Sequence, residues 1–572
     1  MIKRLKKYPL TYFIFLFLIL SFIFVSPILL SGNNIGIQDW DQQLAYLESA
    51  RISVVNFGQF PFWNPYHCGG MPNFANPQSN IISITFLLVL FFGTLSGVKI
   101  SIFIHYFIAL LGFFLLSRNF KLNIGPSLIA SVIFAFGGAL SSALGVGMLS
   151  FIAIAYIPFV LLFFLRALEK EGKIWLNIFL SSIFLALSFY TGYQIPIIFL
   201  PIFFAYSVFE TLFRKRFYPF MIFILIAGLS LLFILPKLVL GVELISAYPR
   251  LITDNSGYSL KNIFYLIFYL NQGYINNLPL KNISYGMDEN SLYVGVIPFL
   301  LFVIGFFKSV KKQRSIILLF VMSFLLMVGN VYGNISIWNF LKNFPFYTSF
   351  RVAQRFRFDF IIFFALLSGF GFAFVSKKFP VNFRKPVEIL IIFIVFINLL
   401  AVSYSSFLSK AFIILNPVSK ISNTKFYSVT DYPVNYKYDP KVSMPKIFYY
   451  DNNYLPWGSE YTATSNNIGT INCYEPIPVV QNAVSRNSKN YKEEIYLIDN
   501  IGKVDIKYWS PDKVVVNLSS KGILVMNQNY DAHWLVKVNG EIQRSQQYNG
   551  LVSYKIDKPQ EITFFYNPFY FN

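Results

Sequence analysis

Residues 81–95, "IISITFLLVLFFGTL", form the shortest apolar run of the chain. Whether they cross a membrane sets the side on which every later loop lies. Longer apolar runs lie near 9–30, 98–117, 125–145, 148–166, 174–191, 194–212, 218–239, 291–308, 314–333, 358–376 and 386–408. Each has the roughly 17–25 residues that a helix needs to cross a bilayer. Basic residues arbitrate the short run, because Lys and Arg collect in cytoplasmic loops. Place Lys3, Arg4, Lys6 and Lys7 inside, and let 81–95 not cross. The loops 118–121, "RALEKEGK" (166–173), "RKR" (214–216), "KSVKKQR" (308–314) and "KKFPVNFRK" (377–385) then all fall inside. If 81–95 crosses, those loops move outside unless another of the runs fails to cross. One assignment satisfies every basic loop, so the run is expected to be an interfacial or re-entrant helix.

Composition agrees with a membrane chain. Of 572 residues, 55% are hydrophobic and 13% are charged, where a soluble domain carries about a quarter charged residues. Mean hydropathy is +0.55. The formal net charge of +21 would suggest nucleic acid in a soluble protein. Here the cations cluster in short loops between apolar runs, as topology signals do, and no nucleic-acid partner is expected. The first apolar run, of about 20 residues, exceeds a signal-peptide core of about 7–15 and reads as a retained helix. The two cysteines, Cys68 and Cys473, make neither a disulfide framework nor a zinc set. Both face outward in this topology, where a bond between them is chemically allowed.

The expected architecture is a polytopic α-helical membrane protein of about eleven transmembrane helices plus a juxtamembrane helix. Residues 1–408 form the membrane part, with a first external loop at 31–97. Residues 409–572 form an extracytoplasmic β-rich domain, and the N-terminus is cytoplasmic. Alternating runs at 503–509, 513–519, 522–528, 533–543 and 561–568 read as strands of a sandwich. Asn539-Gly540 is a two-residue hairpin signal. The part from 420 to 500 is less regular and has no assignment. The opening loop, "TGYQ" (191–194), the loops 240–290 and 334–357, and the tail share one face.

Three groups on that face could carry chemistry. Asp39 and Asp41 alternate, so an extended backbone points both carboxylates the same way, whereas a helix turns them about 200° apart. Together they could act as a general base or hold a divalent cation through oxygen. The plainer reading is solvated loop acids, or a cap for a helix starting near Gln42. "NFGQFPFWNPYHCGGMP" (56–72) is an aromatic interface loop or an acceptor groove, with Trp63, Asn64, Tyr66 and His67 joined by Gln194. Arg351, Arg355 and Arg357 precede a span on the outside, against the positive-inside bias, and Arg forks suit phosphate. Their plainer role is an ion pair with Asp359, Glu243 or a lipid headgroup. His105 lies within a span, where a buried hydrogen-bonding role competes with function; His533 reads as structural. The sequence has no Walker loop, no HExxH and no nucleophile elbow.

The stretch "DWDQQLAYL…GQFPFWNPYHCGGMPNFANPQS…FLLVLFFG" resembles the first external loop of YfhO-like membrane proteins of the GT-C glycosyltransferase superfamily. "LPKL" (235–238), "LYVGVIPFLLFVIGF" (292–306), "FRVAQRFRF" (350–358) and "GILVMNQNYDAHWLVKVNGEIQ" (522–543) are similar to further stretches of that group. Unlike many such relatives, no apolar span follows the β-rich part. The resemblance implies a GT-C-like fold and a sugar carried on a polyprenyl phosphate. It matches Asp39 and Asp41 to the loop acids, 81–95 to a juxtamembrane helix, and the three arginines to the lipid phosphate. The expected function is transfer of a hexosyl or related sugar from that lipid to an extracytoplasmic glycan, lipid or protein acceptor. No cofactor is required by this reading, and Mg²⁺ or Mn²⁺ at Asp39 and Asp41 stays open. The alternatives are a transporter or flippase of lipid-linked glycans, and a non-catalytic envelope protein that binds glycan.

Overall fold

A computed structural model describes residues 10–249, 257–272, 286–330, 336–344, 347–348, 350, 352–414, 450–451, 459–471, 475–485, 488–498 and 504–570. Lys3, Arg4, Lys6, Lys7, Arg351 and Cys473 lie outside the described residues.

The chain opens with helix α1 (Leu10–Leu29), then α2 (Asp39–Phe57), two short strands β1 (Trp63–Asn64) and β2 (Met71–Pro72), and α3 (Ile84–Phe92). The membrane part continues as α4 (Thr94–Asn119), α5 (Ile124–Phe136), α6 (Gly138–Gly145), a 3-10 segment (Leu149–Tyr156) leading into α7 (Ile157–Leu168), and α8 (Ile174–Thr191). Next come α9 (Gln194–Arg214), α10 (Tyr218–Ala247), α11 (Leu260–Phe268), α12 (Met287–Asn290), α13 (Val296–Ser309), α14 (Arg314–Val328) and α15 (Ile337–Leu341). The membrane part closes with α16 (Arg357–Ser376), α17 (Val381–Ser403) and α18 (Ser409–Ala411).

Among the described residues, nine helical segments are long and apolar enough to cross a membrane, and α13 and α14 are shorter apolar helices. Each coincides with one run read from the sequence. The protein is a polytopic integral membrane protein. Helix α3 has nine residues, about 14 Å at 1.5 Å per residue, against a hydrocarbon core of about 30 Å. Ser83 caps its start by accepting from Phe86 N–H, and Gly93 (φ +77°) turns the chain into α4. It does not cross.

Four of the basic loops meet on one face. Asn119, Lys121, Glu169, Glu171, Arg214, Lys311, Lys312 and Arg314 surround a single cavity there. On the lipid side, α1 and α10 expose Phe15, Ile19, Phe22, Leu232 and Val239, while nearly all of α16 is buried. A helix that is apolar all round belongs in the interior. Helices α13 and α16 cross closely at Gly305 and Gly371, where a Cβ would meet the carbonyl oxygens of Leu367 and Leu301. Small residues allow such approaches between membrane helices.

The tail starts with β3 (Tyr450–Asp451), α19 (Ser459–Ser465) and β4 (Thr470–Ile471). It continues through β5 (Ile495–Ile498), β6 (Val504–Ser510), β7 (Lys513–Leu518), β8 (Gly522–Asn529) and β9 (Trp534–Val538). The last strands are β10 (Glu541–Arg544), β11 (Gln546–Tyr548), β12 (Leu551–Ile556) and β13 (Glu561–Tyr566). They form a five-stranded sheet, β10-β9-β13-β7-β6, and a four-stranded sheet, β11-β12-β8-β5, all antiparallel. Val514, Val516, Val536, Ile562 and Phe564 of one sheet share a core with Leu524, Met526 and Val552 of the other. Asn539 and Gly540 both have positive φ, as a tight hairpin between β9 and β10 requires.

That core also takes in Ile52, Trp63 and Tyr66 from the first loop. Asp512 accepts from Trp63 N–H at 2.8 Å and Phe62 N–H at 3.4 Å. Trp63 Nε1 donates to Gln528 at 2.6 Å. Asn529 Nδ2 donates to the carbonyls of Cys68 (2.6 Å) and Gly70 (2.9 Å), while its Oδ1 accepts from Asn482 and Ala483 N–H. Cys68, Gly69 and Gly70 all have positive φ, which favours glycine. A Cβ on Gly69 would sit 2.7 Å from Ala483 Cβ. Cys68 is disulfide-bonded.

Asn529→Ala leaves four buried backbone groups short of a partner, at about 1–3 kcal/mol for each group left unsatisfied. The expected result is a tail released by mild proteolysis under conditions that leave the wild type intact, with the membrane spans still folded. Proteolytic mapping of the purified protein checks it.

Candidate functional site

The first loop enters the site by a chain reversal at Gln38 (φ +54°). Ile35 pairs with Ile414, Asp39 N–H donates to Val146 O at 2.9 Å, and Trp40 Nε1 donates to Leu144 O at 2.9 Å. These contacts start α2 at Asp39. Asp39 and Asp41 then lie in the first turn of a helix, where acids favour the positive end of the dipole. The extended geometry expected from their alternation does not occur. On a helix the two side chains diverge, so the pair does not aim at one point and does not form a shared cation site. Asp39 is half-buried. Asp41 is buried, and its carboxylate accepts from the backbone N–H of Glu460 (3.2 Å) and Tyr461 (2.8 Å) in α19.

Behind Asp41 lies a buried ionisable cluster that sequence reasoning did not assemble. His67 Nε2 is 3.2 Å from Glu475 and Nδ1 is 3.7 Å from Glu460. The Tyr46 hydroxyl donates to Glu475, and the Tyr46 ring meets the His67 ring edge-on at 5.0 Å. Burial opposes a charged imidazole, but Glu460 and Glu475, aided by Asp41, outweigh it and raise the His67 pKa above its ordinary 6.5. Burial and Glu475 raise the Tyr46 pKa well above its ordinary value. His67, Cys68 and Glu475 form a tight donor group, but the Cys68 sulfur is in a disulfide and offers no thiolate. The two His67 ring nitrogens face different carboxylates, so His67, Glu460 and Glu475 form an ion-paired bridge and not a convergent donor set.

Trp63, Asn64, Tyr66 and His67 are buried at about 1% exposure or less. They dock the loop to the tail and do not line an open acceptor groove. Gln194 begins α9 and is buried, its Nε2 3.4 Å from the Tyr193 hydroxyl. His105 bonds Ser101 O at 2.7 Å and Tyr156 Oη at 3.0 Å, a satisfied position within the bundle. His533 lies 2.9 Å from Asp531 and 3.5 Å from Glu243, tying the tail to the end of α10.

Arg355 and Arg357 are not an open phosphate fork. Arg355 pairs with Glu289, its Nε 3.1 Å from both carboxylate oxygens. Arg357 is fully buried and donates to Asp288 O. Glu289 was absent from the partners expected for these residues. The signal for it was "MDEN" (287–290), two acids at the edge of an apolar run.

A cavity of about 290 Å³ opens at this face between α10, α9, the first loop and the tail. Ala75, Gln78, Tyr193, Lys237, Phe350 and Pro476 are among its walls. Lys237 follows Pro236 inside α10 and is 3% exposed, its ammonium donating to Ser79 O. Gln78 links the cavity to α2 through Gln43 at 3.0 Å. Asp39, Asp41, Arg355 and Arg357 are not among the residues that line it.

The sequence matches no family profile and no curated protein. Among solved structures, the chain is similar to the Archaeoglobus fulgidus oligosaccharyltransferase in the apo form, at 14% identity and a TM-score of 0.42. That match covers 80% of this chain and 64% of the other, so the chain spans less than two thirds of that protein's length. It is also similar to ArnT from Cupriavidus metallidurans bound to undecaprenyl phosphate, at 10% identity and a TM-score of 0.46, covering 82% and 87% of the two chains. Both are weak likenesses, and no residue role follows from them.

The raised His67 pKa fixes the sign of a pH effect. Its contribution to stability is fully present below the unfolded value of 6.5 and is lost as pH rises through the folded value above it. Docking of the tail therefore weakens on the alkaline side, and His67→Gln removes that slope. Thermal unfolding of the detergent-purified protein between about pH 6 and pH 9 measures both.

Proposed function

We propose that this protein is a GT-C-type membrane glycosyltransferase. It moves a hexosyl or related sugar from a polyprenyl-phosphate donor to a glycan, lipid or protein acceptor on the face that carries the first loop. The basic loops on the opposite face support a cytoplasmic N-terminus and an extracytoplasmic tail.

The observation that carries the reading is the cavity at the membrane edge, whose lining includes one buried ammonium, Lys237. A phosphate is the ligand class that matches a compact cation in a partly dry site. The lipid-exposed flank of α10, with Leu235, Val239 and Val242, offers a path for an isoprenoid chain. Lys237 takes the place of Arg355 and Arg357 as the phosphate contact, because it lines this cavity and they do not, and Arg355 is paired with Glu289.

In the transfer step the acceptor hydroxyl oxygen attacks the anomeric carbon. The bond from that carbon to the phosphate oxygen breaks, and the lipid phosphate leaves with the electron pair toward Lys237. The hydroxyl proton passes to Asp39 or Asp41. Asp41 reaches an acceptor only after α19 releases its carboxylate. Positioning and charge stabilisation in a water-poor site supply the acceleration.

Asp39→Asn or Asp41→Asn, whichever removes the base, is expected to lower transfer by about 10²-fold or more, the range for loss of a positioned base. Lys237→Met is expected to weaken use of the lipid donor by about tenfold or more, the loss of one charge-assisted contact. The assay is transfer from labelled lipid-linked sugar in reconstituted vesicles, with folding checked by size exclusion. Full transfer in both aspartate variants overturns the mechanism. Relocation of the lipid without a new glycosidic bond favours a transporter instead.

A further inference from the structure

On the opposite face, the ends of α4, α7 and α9 and the α13–α14 turn enclose a second cavity of about 510 Å³. Its floor is Tyr206, 2% exposed, whose hydroxyl makes no hydrogen bond among the described residues. Of its three acids, Glu169 and Glu210 are engaged on one side, and Glu171 lines it as well. Arg214 bridges Glu169 at 2.6 Å and Glu210 at 2.7 Å, and Ser315 donates to Glu210 at 2.6 Å. Lys121, Lys311, Lys312 and Arg314 line the rest, and none of these four has an ion pair among the described residues. Lys311, Lys312 and Arg314 gather at the N-terminus of α14, the end of a helix where cations are unfavourable and anions are bound. Four cations without an ion pair among the described residues, a helix N-terminus and the Tyr206 side chain meet at one polar hollow, where the cations outnumber the acids.

We propose that this cavity binds a phosphate group, presented by an anionic phospholipid headgroup or as free phosphate. Basic pockets between membrane helices on the cytoplasmic side hold such headgroups. The phosphate would accept from the Tyr206 hydroxyl and from the free N–H groups at the start of α14, with the lysines and Arg314 neutralising it. It would clamp α14 to α9, the helix whose other end carries Tyr193 and Ile197 at the first cavity. This site is independent of sugar transfer and needs no donor lipid.

The test uses the full-length detergent-purified protein, titrated with short-chain phosphatidylglycerol, short-chain phosphatidylcholine or inorganic phosphate. Binding is read as a saturable rise in thermal stability. Phosphatidylglycerol is expected to bind at least about tenfold more tightly than phosphatidylcholine, and Lys311→Gln/Lys312→Gln/Arg314→Gln to erase that preference. Tyr206→Phe, which keeps every charge, is expected to weaken binding severalfold and covers the case in which the triple variant fails to fold. Lys377→Gln/Lys378→Gln/Lys385→Gln, on another basic loop, serves as the charge-matched control. Competition by inorganic phosphate assigns the site to free phosphate, and its absence assigns it to the lipid. Equal weakening by the control and pocket variants, or no preference for the anionic lipid, overturns the proposal.

Discussion

Helix α3 is too short to cross a bilayer, and its length sets the parity of the chain. Every later loop takes its side from that one non-crossing. Irregular backbone within lipid would leave peptide groups without partners, so the structure gathers its irregular chain outside the bundle. On one face lie the first loop, α11, α12 and the tail. On the other lie short basic turns. The Gly93 kink between α3 and α4 is what lets an apolar helix lie alongside the bundle and still hand the chain back to a true span.

Residues 63–76 of the first loop have little regular structure, yet all of them are buried. Buried peptide groups need partners, and here those partners come from the tail. Asp512, Gln528 and Asn529 do for the loop what a third strand would do for a hairpin. The arrangement also fixes the buried charges. Glu460 and Glu475 come from the tail, His67, Tyr46 and Asp41 from the loop, and neither set is paired without the other. Arg355 and Glu289 form the equivalent joint between α12 and the segment before α16.

The spans were legible because each is a long apolar run bounded by basic turns, a pattern that depends only on local composition. Asn539-Gly540 announced its hairpin for the same local reason, and Asn549-Gly550, also with positive φ at both positions, could have announced the next. Asp39 and Asp41 were misread as extended although Trp40, Leu44 and Leu47 recur at helical spacing, a signal present in the sequence. The partners of the loop were not legible. Asp512 lies 449 residues from Trp63 and Asn529 lies 461 from Cys68, and no pattern in either segment names the other. Lys237 hid inside the most continuous apolar stretch, where a single cation does not alter the reading of a span.

The tail is part of the first cavity and not an appendage to it. Pro476 and Ile477 form a wall opposite Lys237, and they sit there because Glu475 is held by Tyr46 and faces His67. The effective dielectric around the ammonium depends on that wall. With the tail docked, a phosphate meets Lys237 in a partly dry space where charge interactions are several times stronger than in water. With the tail displaced, water screens the same pair. The loop–tail hydrogen bonds around Asn529 and Asp512 therefore act on the electrostatics of a cation they do not touch, through the exclusion of solvent.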